Sequence, residues 1–190
     1  MKYRHGFKSE ANAIAREIRE ELGLAMLDAL EPLLLADHLE IPVTPLSELH
    51  GDTPTAVRHL MGTGQNTFSA VTVFSGRKRS IVHNDAHSPG RQASNVAHEL
   101  SHGLLLHDPT PALDDRGCRH WNQNIEDEAQ FLGGALLITE DAALWIVRNG
   151  LSLAHAASRF GVSEQMVTYR LNMTGAHKRV SRAHQFRVVK

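Results

Sequence analysis

The stretch Arg91-Gln92-Ala93-Ser94-Asn95-Val96-Ala97-His98-Glu99-Leu100-Ser101-His102-Gly103-Leu104-Leu105-Leu106 decides how the rest of this chain is read. Its length, its apolar residues and the stop at Asp108-Pro109 predict one long helix over 91–106. Residues four apart on a helix, at roughly 100° each, point the same way about one turn apart. His98 and His102 therefore share a face, where two imidazoles can hold one zinc ion. Glu99 stands beside the first of them, placed to take a proton from the water that such an ion activates. Ala97, Leu100, Leu104, Leu105 and Leu106 flank the histidines, so the helix is expected to be largely buried. Two unpartnered imidazoles in that setting would cost desolvation energy, which favours a ligand role.

A catalytic zinc keeps three protein ligands and one open position, so a third ligand is needed. On a continuing helix His107 falls roughly opposite His98 and His102, which sets it aside. The astacin-like extension needs Gly at 105 and His at 108, where this chain has Leu105 and Asp108. The carboxylates of the next helix, in Ile125-Glu126-Asp127-Glu128-Ala129-Gln130, are the remaining source. Glu126 shares a face with Ala129, Gln130 and Gly133, small enough at two positions to let another helix approach. Glu128 shares a face with the bulkier Phe131 and Leu132. Glu126 is the preferred ligand, Glu128 the alternative, and Gln130 is expected to bond the outer nitrogen of a ligand histidine.

Outward from this helix, helical spacing of Ala11, Ile14, Ala15, Ile18 and Leu22 predicts an amphipathic helix over 7–22. Further helices are expected over 32–39 and 53–61, the latter opened by Thr53-Pro54. Ile41-Pro42-Val43 suits an edge strand or connector. The β-branched runs 68–74 and 79–84, joined at Ser75-Gly76, read as one hairpin. Residues 110–123 are expected to be loop, 125–137 and 142–148 helical, and 151–160 with 163–171 a final helix pair broken at Gly161. The fold class is α+β: helices around a small antiparallel sheet, zincin-like, with a C-terminal region resembling a helix-turn-helix. The expected division is a peptidase domain over 1–149 and a basic helical region over 150–190 packed on it.

Composition agrees with one soluble domain: 190 residues, 42% hydrophobic and 22% charged, which excludes disordered and collagen-like classes. No apolar run is long enough for a bilayer, and the first residues lack the apolar block of a secretory signal. Cys118 is the single cysteine, so no internal disulfide or thiolate metal site can form, and a reducing cytoplasm is expected. Any metal must be held by carboxylates and by some of the 13 histidines. Residues 1–149 carry thirteen Lys and Arg against twenty Asp and Glu, whereas residues 150–190 carry seven against Glu164 alone. A basic tail on an acidic body can contact nucleic acid or can bind its own body.

Ile81-Val82-His83-Asn84, Arg91, Ala97-His98-Glu99-Leu100-Ser101-His102, Glu126-Asp127-Glu128-Ala129 and Gly134-Ala135-Leu136-Leu137-Ile138 together resemble the ImmA/IrrE family of zinc metallopeptidases. Arg159-Phe160-Gly161-Val162-Ser163 and Arg170-Leu171 are similar to the helical C-terminal segment common in that family. The resemblance implies a cytoplasmic zinc-dependent endopeptidase, with His98 and His102 as ligands, Glu99 as base and a downstream Glu as third ligand. It further implies substrates among helix-turn-helix repressor proteins of phages, mobile elements or stress regulons. The chain differs from the family at Gln130, often Asn or Asp, and at Thr139, often Pro. The charged helix at 7–22 leaves no room for the N-terminal helix-turn-helix domain that many members carry.

Three further points concern the chemistry. His120, Tyr169 and Arg91 are candidate donors to the developing oxyanion. Residues 79–84 are expected to offer an open strand edge along which an extended substrate pairs. Arg170, Lys178, Arg179 and Arg182 could meet phosphates, although Phe160, Val162, Met166, Val167 and Leu171 read better as a unit that packs on the peptidase. The rival readings are a DNA-associated regulator with a structural metal, and a toxin-antitoxin-type partner-binding protein that keeps the metal site without turnover.

Overall fold

A computed structural model describes residues 3–76, 78–107 and 122–188 of the chain. Helix α1 (Phe7–Glu21) buries the stripe its spacing marks, Phe7, Ala11, Ala15 and Ile18. After helix α2 (Pro32–His38) come strand β1 (Val43–Pro45), a 3₁₀ turn (Leu46–His50) and helix α3 (Pro54–Met61). Strands β2 (Ala70–Ser75) and β3 (Lys78–His83) form the hairpin, followed by helix α4 (Pro89–Leu104) and helix α5 (Gln123–Leu137). Helices α6 (Glu140–Arg148), α7 (Leu153–Phe160), α8 (Glu164–Thr174) and α9 (Ala176–Val188) complete the described chain. The fold is α+β, as the order of apolar patterns implies.

The sheet departs from the antiparallel expectation. β2 pairs antiparallel with β3, but β1 pairs parallel with it, Val43 opposite Ile81, so the sheet is mixed with order β1-β3-β2. The β1–β3 connection runs through α3 and β2 rather than a tight turn, and a parallel neighbour needs such a crossover. β3 is therefore the central strand, and the open edge expected at 79–84 belongs to β2 instead. Burial follows the same order: Ile81 and His83 are buried in central β3, whereas Val73 and Phe74 near the end of edge strand β2 are exposed.

α5 is the axis of the molecule. One side faces α1, α4 and the sheet through Phe131, Leu132, Ala135 and Leu136; its end, Leu137 and Ile138, joins a second core with α6 to α9. Two buried arginines serve the carbonyls that its last turn leaves without an intrahelical donor. Arg19 Nη2 donates to Leu136 O at 2.8 Å, and Arg170 Nε donates to Ile138 O at 2.9 Å. Arg170 is thus a structural residue with no exposed surface, which removes it from the less favoured alternative in which the tail's cations meet phosphates. Of the tail's other cations, Arg179 pairs with Glu140 of α6.

The C-terminal helices bury Phe160, Val162, Met166, Val167 and Leu171 against α5 and α6. Gly90 explains how closely they sit: a Cβ there would lie 2.5 Å from the backbone of Val162, at the turn between α7 and α8. Helix α9 extends beyond the expected final pair; its buried contacts are Ala176 and Val180, too sparse a stripe to announce a helix. No single helix among the described residues is long and apolar enough to cross a membrane.

Candidate metal centre

α4 buries Val96, Ala97, Leu100 and Ser101 and turns His98, Glu99 and His102 toward a partly open face. α5 runs against it because Gly133 removes a side chain where the two backbones meet. A Cβ at Gly133 would lie 3.1 Å from Ala97 O and 3.2 Å from His98 N. This close approach is what the small residues on the Glu126 face implied. Asn122 caps α5 by accepting a 3.1 Å bond from Asn124 N, which places Glu126 in the first turn.

His98, His102 and Glu126 converge as the spacing predicts. His98 Nε2 lies 3.1 Å from Glu126 Oε2 and 3.1 Å from His102 Nε2, and His102 Nε2 lies 3.8 Å from Glu126 Oε2. Ligands about 2.0–2.1 Å from a tetrahedral ion are separated by roughly 3.3 Å, so the three atoms fit the edges of one face of that tetrahedron. The side chains keep 22%, 21% and 25% of their surface, which leaves room for a fourth position. Burial resists ionisation of Glu126, but hydrogen bonds from His102 and His98 outweigh it and hold the carboxyl well below the usual carboxylate range. An anionic carboxylate beside two imidazoles is the donor set a divalent transition metal takes.

A family comparison bears on this geometry. The Peptidase_M78 model, described as the IrrE N-terminal-like domain, matches residues 55–172, from α3 nearly to the end of α8 and across all three converging side chains. The chain belongs to this peptidase family. No curated protein matches it. Membership of the IrrE-like peptidases points to peptide-bond hydrolysis and hence to a protein or peptide substrate. Helices α1 and α2 lie outside the matched segment of the IrrE-like domain, yet α1 packs on α5 and α2 on α4.

The remaining expectations divide. Glu99 lies on α4 next to the cluster, and its Oε2 accepts a 2.6 Å hydrogen bond from Thr72 Oγ1 on β2. Glu128, the alternative ligand, lies behind the cluster: its Oε2 is 3.7 Å from His107 Nε2 and its Oε1 is 3.3 Å from Arg4 Nε. Gln130 does not serve the outer nitrogen of His98, because His98 Nδ1 is buried without a hydrogen-bond partner among the described residues. Arg91 is engaged elsewhere, donating to Asn66 Oδ1 at 3.1 Å and Ser69 Oγ at 3.2 Å. Tyr169 packs beside Gly134 in the company of Tyr3, Asp127 and Arg170; burial there pushes its phenol up. His120 and Cys118 lie outside the described residues.

The placement of His107 overturns the helical-wheel argument. α4 ends at Leu104, Leu106 takes a left-handed φ of 53°, and His107 N donates to His102 O at 3.0 Å. Leu106 N donates to Gly103 O at 3.1 Å, so both bonds of a Schellman ending are present. The reversal returns His107 to His102, with the two Nδ1 atoms 3.0 Å apart. Burial, then the charge of His102, lowers the His107 pKa against the pull of Glu128. Thr72 is the residue near the site that pattern reading missed, and His107 the one it weighed but placed on the wrong face. A lone polar residue between Val71 and Val73 was the available signal for Thr72; the stop read at Asp108-Pro109 was the available signal that a helical wheel does not extend to His107.

Proposed function

We propose that the chain is a zinc-dependent endopeptidase in which His98, His102 and Glu126 hold the ion and Glu99 is the general base. The observation that carries this is the spacing of 3.1, 3.1 and 3.8 Å among the three donor atoms, within a chain of a peptidase family. When bound, a divalent ion supplies polarisation of the scissile carbonyl and acidification of water. Glu99 takes one proton from the attacking water and delivers it to the departing amine, so the carbon–nitrogen bond breaks without a free charged amide. Thr72 Oγ1 holds the Glu99 carboxylate while it waits. The outer edge of β2, which pairs only with β3 among the described residues, is where an extended substrate adds its backbone.

Likeness to the ImmA/IrrE peptidases supports a helix-turn-helix repressor as the substrate and the cytoplasm as the place of action. A partner-binding protein without turnover is the rival. Replacing Glu99 by Gln separates the two, because the ligands stay and only proton transfer is lost. Metal content is expected to be unchanged and cleavage to fall by roughly 10²–10⁴-fold. Cleavage at the wild-type rate would remove Glu99 from the mechanism. Zinc analysis of His98→Ala and Glu126→Ala is expected to show both emptied, whereas Glu128→Ala, which removes no ligand, still takes up the ion at saturating zinc.

A further inference from the structure

His102 presents Nε2 to Glu126 and His98, so a neutral His102 that binds a metal there carries its ring proton on Nδ1. That Nδ1 is 3.0 Å from Nδ1 of His107. With the proton on His102, His107 is the acceptor, and its own proton belongs on Nε2. Nε2 faces Glu128 Oε2 at 3.7 Å, and Arg4 Nε anchors the other carboxylate oxygen at 3.3 Å. His107 and Glu128 keep only 10% and 13% of their side-chain surface, so water competes weakly for these contacts. The Schellman ending of α4 puts His107 there by a backbone bond to the residue it serves, His107 N to His102 O. His98 has no such support, its Nδ1 being unpartnered among the described residues.

We propose that His107, backed by Glu128 and Arg4, is a positioning residue that fixes the tautomer and ring orientation of His102 so that Nε2 faces the metal. The proposal rests on the metal-centre reading above. Outer partners of metal-ligating histidines contribute roughly 10–100-fold to metal affinity, and the asymmetry between His98 and His102 assigns that contribution to one side of this site.

The test is zinc affinity of the full chain, measured by competition with a chromogenic chelator, for wild type, His98→Ala, His107→Phe and His107→Asn. Phe keeps bulk but accepts no hydrogen bond, whereas the Asn carbonyl oxygen can take the place of Nδ1. His107→Phe is expected to bind zinc roughly 10–100-fold more weakly, and His107→Asn to recover most of the loss. Wild-type affinity in His107→Phe, or equal weakness in both His107 variants, overturns the proposal while leaving the metal centre intact. Wild-type affinity in His98→Ala, or no zinc binding by the wild type, overturns the metal centre and this inference with it.

Discussion

Thr72 Oγ1 donates a 2.6 Å hydrogen bond to Glu99 Oε2, joining the edge strand of the sheet to the helix that carries both histidines. Thr72 lies opposite Ile81 in the β2–β3 register, and Ile81 is buried in the core shared with Leu100 of α4. The carboxylate proposed as base is therefore aimed by the same packing that holds the sheet on α4.

Thr72→Val keeps the shape of the side chain and removes the donor. A hydrogen bond to a charged group contributes about 1.5–3 kcal/mol. If that interaction sets the aim of Glu99, peptide cleavage is expected to fall by roughly 10–100-fold with zinc content unchanged. Turnover kinetics with parallel metal analysis check it.

Gly133→Ala inserts a methyl group 3.1 Å from Ala97 O, and backbone on the facing helix cannot rotate away as a side chain can. Overpacking of this kind costs about 1–3 kcal/mol. The same displacement moves α5, and Glu126 with it, away from His98. Thermal melts are expected to show lower stability, and zinc titration weaker binding, in the one variant.

Leu106 holds φ 53° with 81% of its surface exposed, so its side chain contributes little burial against a left-handed backbone. That conformation costs a non-glycine residue about 1–2 kcal/mol, of which glycine's unfolded-state entropy returns about 0.4–1. Leu106→Gly is expected to stabilise the chain by about 0.5–1 kcal/mol, measurable as a higher urea midpoint.

Burial lowers the His83 pKa, with Asp85 opposing and His87 assisting. Above about 6.5, the unfolded value, neither state holds the proton and the native state keeps its full stability. Below it the unfolded chain binds a proton that folded His83 refuses, so stability falls as the pH drops. His107 contributes with the same sign. Melting temperature is expected to fall between pH 7.5 and 5.5, and to fall less in His83→Asn, which has no ring to titrate.

What could be read in advance follows from periodicity. Phe7, Ala11, Ala15 and Ile18 revealed α1, and the β-branched residues of 71–82 revealed the hairpin, because each pattern is local. His98 and His102 were legible for the same reason, and Glu126 because its neighbours Ala129 and Gly133 are small. Strand order was not legible: β1 is three residues long, and which edge of β3 it takes depends on a crossover rather than on its own composition. His107 was misplaced because a helical wheel is valid only while the helix continues, and one left-handed residue reversed the direction. Thr72 was missed because its partner is 27 residues away, and no sequence period links a strand to the next helix.

The packing of α1 on α5 also sets a schedule for synthesis. Arg19 and Leu136, which hydrogen-bond in the finished molecule, are 117 residues apart. At about 5–20 residues per second, α1 leaves the ribosome on the order of ten seconds before the helix that covers it exists. Throughout that interval Phe7, Ala11, Ala15 and Ile18 face solvent or a chaperone. The apolar stripe therefore stays uncovered while His98 and His102 are being translated, and closes only when α5, which also brings Glu126, has followed.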